Sequence, residues 1–182
     1  MCYSIVFESK YIKLSDGRYI HFERGGCNND DTGHTKWDFS AEICTFEDIV
    51  KEANYYKENS EPYKECKCMD LKIGSRCATM YDYGERLLKM LKRAIPYEQF
   101  INDFYFKVNH ITGFYVCTPE SPEETLYTVK EFHEIVSRHR DGVRYRRVIE
   151  YPDVNNENKL VELIENHEPM TFYIEKNESN RR

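Results

Sequence analysis

The sequence predicts an α+β fold with mixed or antiparallel sheets, on three observations. First, Asp16-Gly17 separates two alternating apolar segments, residues 11–14 and 19–22, which is a strong β-hairpin signal. Second, Thr45 and Thr128 each precede an acidic residue by three positions and open a segment with helical apolar spacing. Third, a chain of 182 residues is long enough for one domain, or two small halves, around a conventional core.

In the N-terminal half, residues 3–8 are a short apolar run, and apolar periodicity predicts the hairpin, a short strand at 42–44 and a helix over 46–57. Residues 25–37 are rich in Gly, Asn, Asp and Thr and have no periodicity, so we expect a long surface loop there. A strand around residues 69–73 and a helix with an apolar stripe from Leu87 to Ile95, stopped by Pro96, complete this half.

The C-terminal half is predicted to begin with a second hairpin, in which residues 104–108 pair with 114–116 across a turn at Thr112-Gly113. A helix after Thr128, a strand over 143–151, a helix over 160–164 and a strand over 170–174 follow. The order of elements resembles that of the first half. We therefore predict two similar hairpin-helix-strand-helix halves, residues 1–96 and 97–175, with a flexible tail at 176–182. Chance alternation of helices and strands is the alternative that the pattern leaves open.

Seven cysteines, an odd number, in a chain without a signal peptide indicate reduced thiols in the cytosol. One group of residues is a candidate metal site. It consists of Cys66, Cys68 and Cys77, with Cys27 and His34 as further candidate ligands. Their spacing matches no zinc motif, so no metal and no other cofactor is predicted. No stretch approaches the ~20 apolar residues of a membrane span, which favours a soluble cytoplasmic protein with no membrane partner.

The strongest local feature is the segment from Arg138 to Arg147, where five arginines and one aspartate give +4 and leave −10 on the other 172 residues. On a strand over 143–151, Arg144 and Arg146 would project from one face about 6.8 Å apart, with Tyr145 on the other. Guanidinium groups bind phosphates or carboxylates bidentately. The alternative is that the arginines are solvated and balanced by the acidic stretch 150–178.

The candidate partner-binding residues come from this cluster and from the 25–37 loop, because long loops often carry function. They are Arg138, Arg140, Arg144, Tyr145, Arg146 and Arg147 in the cluster, and Asn28, Asn29, Asp30, Asp31 and Trp37 in the loop.

A catalytic interpretation would have to begin in the same loop, where Cys27, His34 and several aspartates could supply a nucleophile with a base, or ligands for a divalent ion. No motif spacing supports it, and residues of these types occur in loops for conformational reasons alone. His21 and His110 lie in predicted hairpins, where a lone histidine is expected to be a cross-strand surface residue. No catalytic residue is therefore predicted.

Four segments carry a resemblance to small proteins of phages and mobile elements of gut bacteria. They are Lys13-Leu-Ser-Asp-Gly-Arg-Tyr-Ile-His-Phe-Glu-Arg24, Gly26-Cys-Asn-Asn-Asp30, Asp70-Leu-Lys-Ile-Gly-Ser-Arg76 and Tyr81-Asp-Tyr-Gly-Glu85. Within that group the chain resembles the type II-A anti-CRISPR proteins, which inhibit the RNA-guided nuclease Cas9. The resemblance implies a non-enzymatic inhibitor that binds Cas9, with or without guide RNA, and blocks DNA recognition or cleavage. It assigns no contact residue.

The charge pattern is compatible with such an inhibitor if both signs are used. Acidic faces would meet the positively charged channels of Cas9, and the arginine cluster would meet guide RNA, DNA or an acidic protein patch. The second hypothesis is a nucleic-acid-binding accessory protein of a phage or mobile element, and the third, less favoured, is a metal-dependent enzyme.

Overall fold

The structure, a computed structural model, describes residues 10–24, 39–60, 80–139 and 141–177. In this part the chain forms eight strands and five helices, which confirms the α+β class. The described residues group into two compact units: residues 10–23, 41–60 and 80–100 form the N-terminal unit, and residues 101–139 and 141–177 form the C-terminal unit together with Arg24, Phe39 and Ser40. The apolar run at 3–8, the predicted strand at 69–73 and the predicted loop at 25–37 lie outside the described residues.

The N-terminal unit contains a four-stranded mixed sheet in the order β3-β2-β1-β4. β1 pairs with β2 in antiparallel fashion and with β4 in parallel fashion. Tyr11 lies opposite His21 and Ile12 lies opposite Ile20, so alternate residues of the hairpin share a face. The elements are β1 Lys10–Lys13, β2 Tyr19–Arg24, β3 Phe39–Cys44, α1 Phe46–Glu58, α2 Met80–Lys92, β4 Ile95–Pro96 and α3 Tyr97–Asp103.

Helix α1 begins where the sequence predicts. The Thr45 hydroxyl accepts a hydrogen bond from the Asp48 backbone N–H at 3.1 Å, and the Asp48 carboxylate accepts one from the Thr45 N–H at 3.1 Å. Ile49 and Ala53 then pack against Tyr11 in the core of this unit. Helix α2 lies very close to α1 at Gly84, where an added Cβ would be 2.5 Å from the Ala53 carbonyl oxygen.

Helix α2 ends earlier than its apolar stripe predicts. Its last residue is Lys92, and Ile95 instead forms β4 with Pro96 and lies opposite Ile12. A proline disfavours the helical conformation of the residue before it, so the chain leaves the helix before Ile95, whose side chain is partly buried in the strand pair. Helix α3, directly after Pro96, was not predicted.

The C-terminal unit is an antiparallel sheet centred on one long strand, β5. Strand β7 pairs with one edge of β5, and β6 and β8 pair with successive parts of the other edge. The elements are β5 Phe104–Cys117, β6 Thr125–Tyr127, α4 Val129–Arg138, β7 Arg144–Glu150, α5 Glu157–Glu165 and β8 Met170–Lys176. The predicted capping box of α4, between Thr128 and Glu131, is present.

The predicted second hairpin is wrong, because residues 104–117 form one continuous strand. The turn residues at Thr112-Gly113 produce a β-bulge instead of a reversal, between Ile111 and Gly113. Gly113 also lies against β6, where an added Cβ would be 2.7 Å from the Tyr127 carbonyl oxygen. A turn signal and a bulge signal use the same residue types, so the local sequence did not distinguish them.

The bulge changes which side chains of β5 share a face. On β7, Arg147 and Ile149 are two residues apart and therefore on one face, and they lie opposite Phe114 and Ile111. Phe114 and Ile111 are three residues apart, yet they belong to the same core cluster, with Phe132 of α4.

One further expectation concerns the C-terminal end of this unit. Lys176 belongs to β8, and the Asn177 N–H donates to the Asp103 carbonyl oxygen at 3.0 Å, so the predicted flexible tail does not begin at 176.

The internal repeat stays a prediction, and its second half lacks the hairpin on which it partly depended. None of the described helices has the length and apolar character needed to cross a bilayer.

Candidate binding surface

The structure gathers most of the predicted arginine cluster on β7 and the end of α4. Arg144, Tyr145, Arg146 and Arg147 are consecutive residues of β7, and Arg138 is in the last turn of α4. All five side chains are exposed. Arg140 and the loop candidates Asn28, Asn29, Asp30, Asp31 and Trp37 lie outside the described residues. We call the exposed side chains of residues 144–147 the basic strand surface.

Gly142 connects α4 to this strand. Its φ of +83° lies in the left-handed region that favours glycine, and an added Cβ would be 2.9 Å from Cγ of Pro119. The connection therefore requires glycine on two independent grounds, and it sets where β7 begins.

The register of β7 against β5 divides the basic strand surface between two faces of the sheet. Arg146 lies opposite Tyr115 and Arg144 opposite Cys117 on one face. Tyr145 lies opposite Val116 on the other face, which α4 partly covers. Arg144 and Arg146 therefore share a face, as the alternation of a strand predicts, and Arg147 lies on the other.

Tyr145 is an exposed aromatic side chain held in place from one side. Its ring centroid is 4.8 Å from that of Phe132 and 5.8 Å from that of Phe114, both in edge-to-face geometry. Phe114 and Phe132 themselves stack at 3.7 Å. The remaining 54% of Tyr145 is solvent-exposed, so the residue offers a rigid apolar contact with a polar tip.

Arg146 is neutralised within the unit. Its Nη2 and Nε atoms donate to Oε2 of Glu124 at 3.0 and 3.1 Å, and its guanidinium carbon is 4.0 Å from the Tyr115 ring centroid. The Glu124 carboxylate raises the pKa of Arg146 above its ordinary value. The charge of Arg146 is therefore paired within the chain, as the alternative interpretation expected. Its partner, however, is Glu124, which precedes the cluster in the sequence, and not a residue of the acidic stretch 150–178.

Arg144 and Arg147 differ from Arg146 in this respect. Both are exposed, and among the described residues neither side chain has a salt-bridge or hydrogen-bond partner. Since they lie on opposite faces of β7, two uncompensated positive charges flank Tyr145 and Arg146. These two arginines, and not the pair Arg144 and Arg146, supply the available charge of the strand.

Strand β7 is also an edge strand. It pairs with β5 on one side, and within the described part of the chain no strand pairs with its other side. An edge strand presents backbone N–H and C=O groups that are free to pair with another chain, and charged side chains are the usual protection against unwanted pairing.

The N-terminal unit holds a second polar cluster, which the sequence did not predict. His21 is 3% exposed, so the expectation of a surface histidine is wrong. Its ring stacks on Tyr11 at 4.4 Å, and its Nδ1 lies 3.1 Å from Oε1 of Glu42. The Tyr83 hydroxyl donates to Oε1 of Glu23 at 3.4 Å. The available signal was the hairpin register, which places His21 opposite Tyr11 on a face that α1 and α2 cover.

Burial dominates the protonation of this cluster. It raises the pKa of Tyr83 to about 12, with Glu23 adding to the effect, and it raises the pKa of Glu52 above its ordinary value, with Glu42 adding to the effect. The Tyr11 hydroxyl is buried without a hydrogen-bond partner among the described residues, and its pKa is also raised by burial. The neutral forms of Tyr11, Tyr83 and Glu52 are thus favoured more strongly than they would be in water.

The two described thiols, Cys44 and Cys117, are both free. Burial raises the pKa of Cys44 to about 12, so it is protonated at neutral pH and is not an activated nucleophile. In the described part of the chain no three His, Cys, Asp or Glu side chains are arranged to hold a metal ion. The considered ligands Cys27, His34, Cys66, Cys68 and Cys77 lie outside that part.

Comparisons with protein-family models, with curated proteins and with solved structures find no match to this chain. The resemblance to type II-A anti-CRISPR proteins therefore stays a prediction from the four quoted segments.

Proposed function

We propose that this chain is a non-enzymatic binding protein that inhibits the RNA-guided nuclease Cas9, and that the basic strand surface is one of its contacts. The observation that carries the binding role is that Arg144 and Arg147, on opposite faces of β7 and close in sequence to the half-exposed Tyr145, have no salt-bridge partner among the described residues. Arginine and tyrosine are enriched where proteins bind partners, because both make strong directional contacts from a large apolar body. The identity of the partner comes from the sequence resemblance.

The two signs of charge have separate roles in this proposal. The basic strand surface binds an acidic or phosphate-rich part of the nuclease complex, since guanidinium groups pair with either. The rest of the chain has an excess of acidic side chains and suits the positively charged channels that receive the PAM duplex and the target strand. Binding at either place in the bacterial cytoplasm would block DNA recognition or cleavage.

A second candidate function is a nucleic-acid-binding accessory protein that needs no nuclease. Exposed arginines beside an exposed tyrosine favour it, because phosphate contacts and base stacking together support binding to single strands. A metal-dependent enzyme ranks third, since no motif spacing in the sequence supports a set of metal ligands.

The test uses purified chain, catalytically inactive Cas9 and guide RNA. We expect a stoichiometric complex on size-exclusion chromatography and, with active Cas9, inhibition of target cleavage. The double variant Arg144→Ala with Arg147→Ala should weaken the complex and leave the melting temperature unchanged. The matched control is Lys92→Ala with Arg93→Ala, which removes two exposed charges from the other unit.

Three results would contradict the proposal or redirect it. Absence of a complex with Cas9, alone and with guide RNA, refutes the inhibitor. Binding to free guide RNA with equal affinity in the absence of Cas9 favours the accessory protein. Equal weakening by the two double variants removes the basic strand surface from the interface. A phosphate contact is recognised by salt dependence, because each one changes the slope of log affinity against log salt by about 0.9 on duplex DNA.

A further inference from the structure

We propose that the edge of β7 with which no described strand pairs binds an extended, acidic segment of the partner protein as an additional antiparallel strand. The inference deepens the proposed function, since it assumes that the basic strand surface is the binding surface. It does not depend on Cas9 being the partner. The proposal names a protein segment as the ligand, and nucleic acid and a second copy of the chain are outcomes of the test.

The backbone of β7 provides the first argument. Its seven residues pair with β5 on one side only, within the described residues. An extended peptide that joins such an edge gains backbone hydrogen bonds, and side-chain contacts at alternate positions give it specificity. The three strand pairs of this sheet, β5–β6, β5–β7 and β5–β8, are all antiparallel. An added antiparallel strand continues this arrangement, which is also the more common one.

The side chains of β7 provide the second argument, because they define the sequence of the incoming strand. Arg146 is already paired with Glu124, so the available charges are those of Arg144 and Arg147. In an antiparallel strand, acidic residues opposite these two are three positions apart. The residue opposite Tyr145 meets a ring that is 54% exposed and favours an apolar side chain. Read from its N-terminus, the segment is acidic, any residue, apolar, acidic.

The same side chains disfavour a second copy of the chain. In the antiparallel self-pairing that brings Arg144 opposite Glu150, the two-fold axis passes through Arg147, which then lies directly opposite Arg147 of the other copy. Like charges directly opposite each other are destabilising in an antiparallel pair. The arginines thus protect the edge against self-association and select an acidic strand.

The experiment is an NMR titration of the full ¹⁵N-labelled chain at low ionic strength with capped synthetic peptides. The first peptide is Thr-Thr-Glu-Thr-Val-Glu-Thr-Thr, and the second has glutamine in place of both glutamates. We expect the acidic peptide to shift the backbone amides of β7 and to slow their hydrogen exchange, and the glutamine peptide to bind several-fold more weakly. Arg144→Ala with Arg147→Ala should lower the affinity for the acidic peptide between about twofold and thirtyfold, as expected for two cross-strand charge pairs. Lys92→Ala with Arg93→Ala should not.

Four outcomes overturn the inference. Equal binding of the two peptides shows that charge does not select the strand. Shifts confined to residues outside β7 show that the peptide binds elsewhere. Shifts of β7 amides by a ten-nucleotide single-stranded RNA, with none by the acidic peptide, assign the surface to nucleic acid. Concentration-dependent shifts of β7 without any ligand assign the edge to a second copy. None of these measurements contains Cas9. A negative result would therefore contradict the added-strand proposal without bearing on whether the chain binds Cas9.

Discussion

Arg146 lies directly opposite Tyr115 in the ladder between β5 and β7, with its guanidinium carbon 4.0 Å from the centre of the tyrosine ring. The same guanidinium binds the Glu124 carboxylate through two nitrogens. One side chain of the basic strand surface therefore has its charge paired, and two of its nitrogens engaged, by a carboxylate of the same chain at the protein surface. The contrast with Arg144 and Arg147 makes the surface selective, because only part of its positive charge is available to a partner.

Removing the carboxylate partner should release Arg146 for binding. We expect Glu124→Gln to increase the affinity for an acidic partner segment and to steepen the salt dependence of that affinity, since a third arginine becomes available. Affinity is measured by titration with the acidic peptide at two salt concentrations. The control is Glu123→Gln, which removes a charge from the neighbouring exposed position. Equal effects of the two variants would indicate that general charge, and not the release of Arg146, is responsible.

The capping boxes of α1 and α4 predict a pH-dependent contribution to stability. The Thr45 hydroxyl and backbone N–H lower the pKa of Asp48, and the Thr128 backbone N–H and hydroxyl lower the pKa of Glu131. A lowered pKa in the folded state means that the stabilisation is present above the ordinary values of 3.8 and 4.5 and is lost as the pH falls through the folded pKa. Thr45→Ala and Thr128→Ala should each lower the free energy of unfolding by about 1 kcal/mol at pH 7 and by less at pH 3.

Urea denaturation at the two pH values measures this difference. Asn156→Ala is the matched control, because Asn156 caps α5 through the Lys159 N–H without a reciprocal carboxylate. Its cost should be similar at pH 7 and pH 3. A pH-independent cost for the threonine variants would show that their carboxylate partners contribute nothing.

The Tyr11 hydroxyl, which has no hydrogen-bond partner among the described residues, predicts a stabilising substitution. A buried hydroxyl without a hydrogen-bond partner costs roughly 1–3 kcal/mol, and Tyr11→Phe removes it while keeping the ring that stacks on His21. We expect the free energy of unfolding to increase by about 1 kcal/mol, measured by urea denaturation with an unchanged slope. Tyr19→Phe, in the same core cluster, is the control and should have little effect. Destabilisation by Tyr11→Phe would mean that the hydroxyl has a partner in solution.

Gly142 and Gly17 form a matched pair for testing the effect of an added Cβ. Both have positive φ, +83° and +89°, but an added Cβ contacts Pro119 at Gly142 and has open space at Gly17. Gly17→Ala should therefore lower the free energy of unfolding only by the cost of holding alanine in the left-handed conformation, about 1–2 kcal/mol. Alanine at Gly142 should cost more, because the proline ring must also move. Thermal unfolding of the two variants measures the difference, and equal losses would show that the proline contact is relieved without cost.

The elements that the sequence predicted well are those specified by neighbouring residues. The Asp16-Gly17 turn and the two threonine caps depend on contacts within a few positions, so they were readable before any tertiary contact was known. The alternation of Arg144, Tyr145 and Arg146 follows from strand geometry alone. The loop candidates at residues 28–31 and Trp37 stay predictions, since they lie outside the described residues.

Other features depended on residues far apart in the chain. Thr112-Gly113 carries a turn signal, but residues 104–117 stay extended because β7 pairs with β5 both before and after the bulge and β8 pairs with the part of β5 before it. His21 is buried because two helices cover its face of the sheet, and a hairpin sequence does not show that cover. Ile95 continues a helical stripe, but it is used in β4, where Ile12 lies opposite it.

The sequence by itself determined the α+β class, the hairpin, the helix caps and the presence of an arginine-rich strand, because each follows from residue type and short-range spacing. Only the tertiary structure decided which arginines are available. Glu124 is 22 positions from Arg146, and the pairing of β5 with both β6 and β7 brings the two side chains together. A contact over that separation depends on the register of three strands, and no local pattern encodes it.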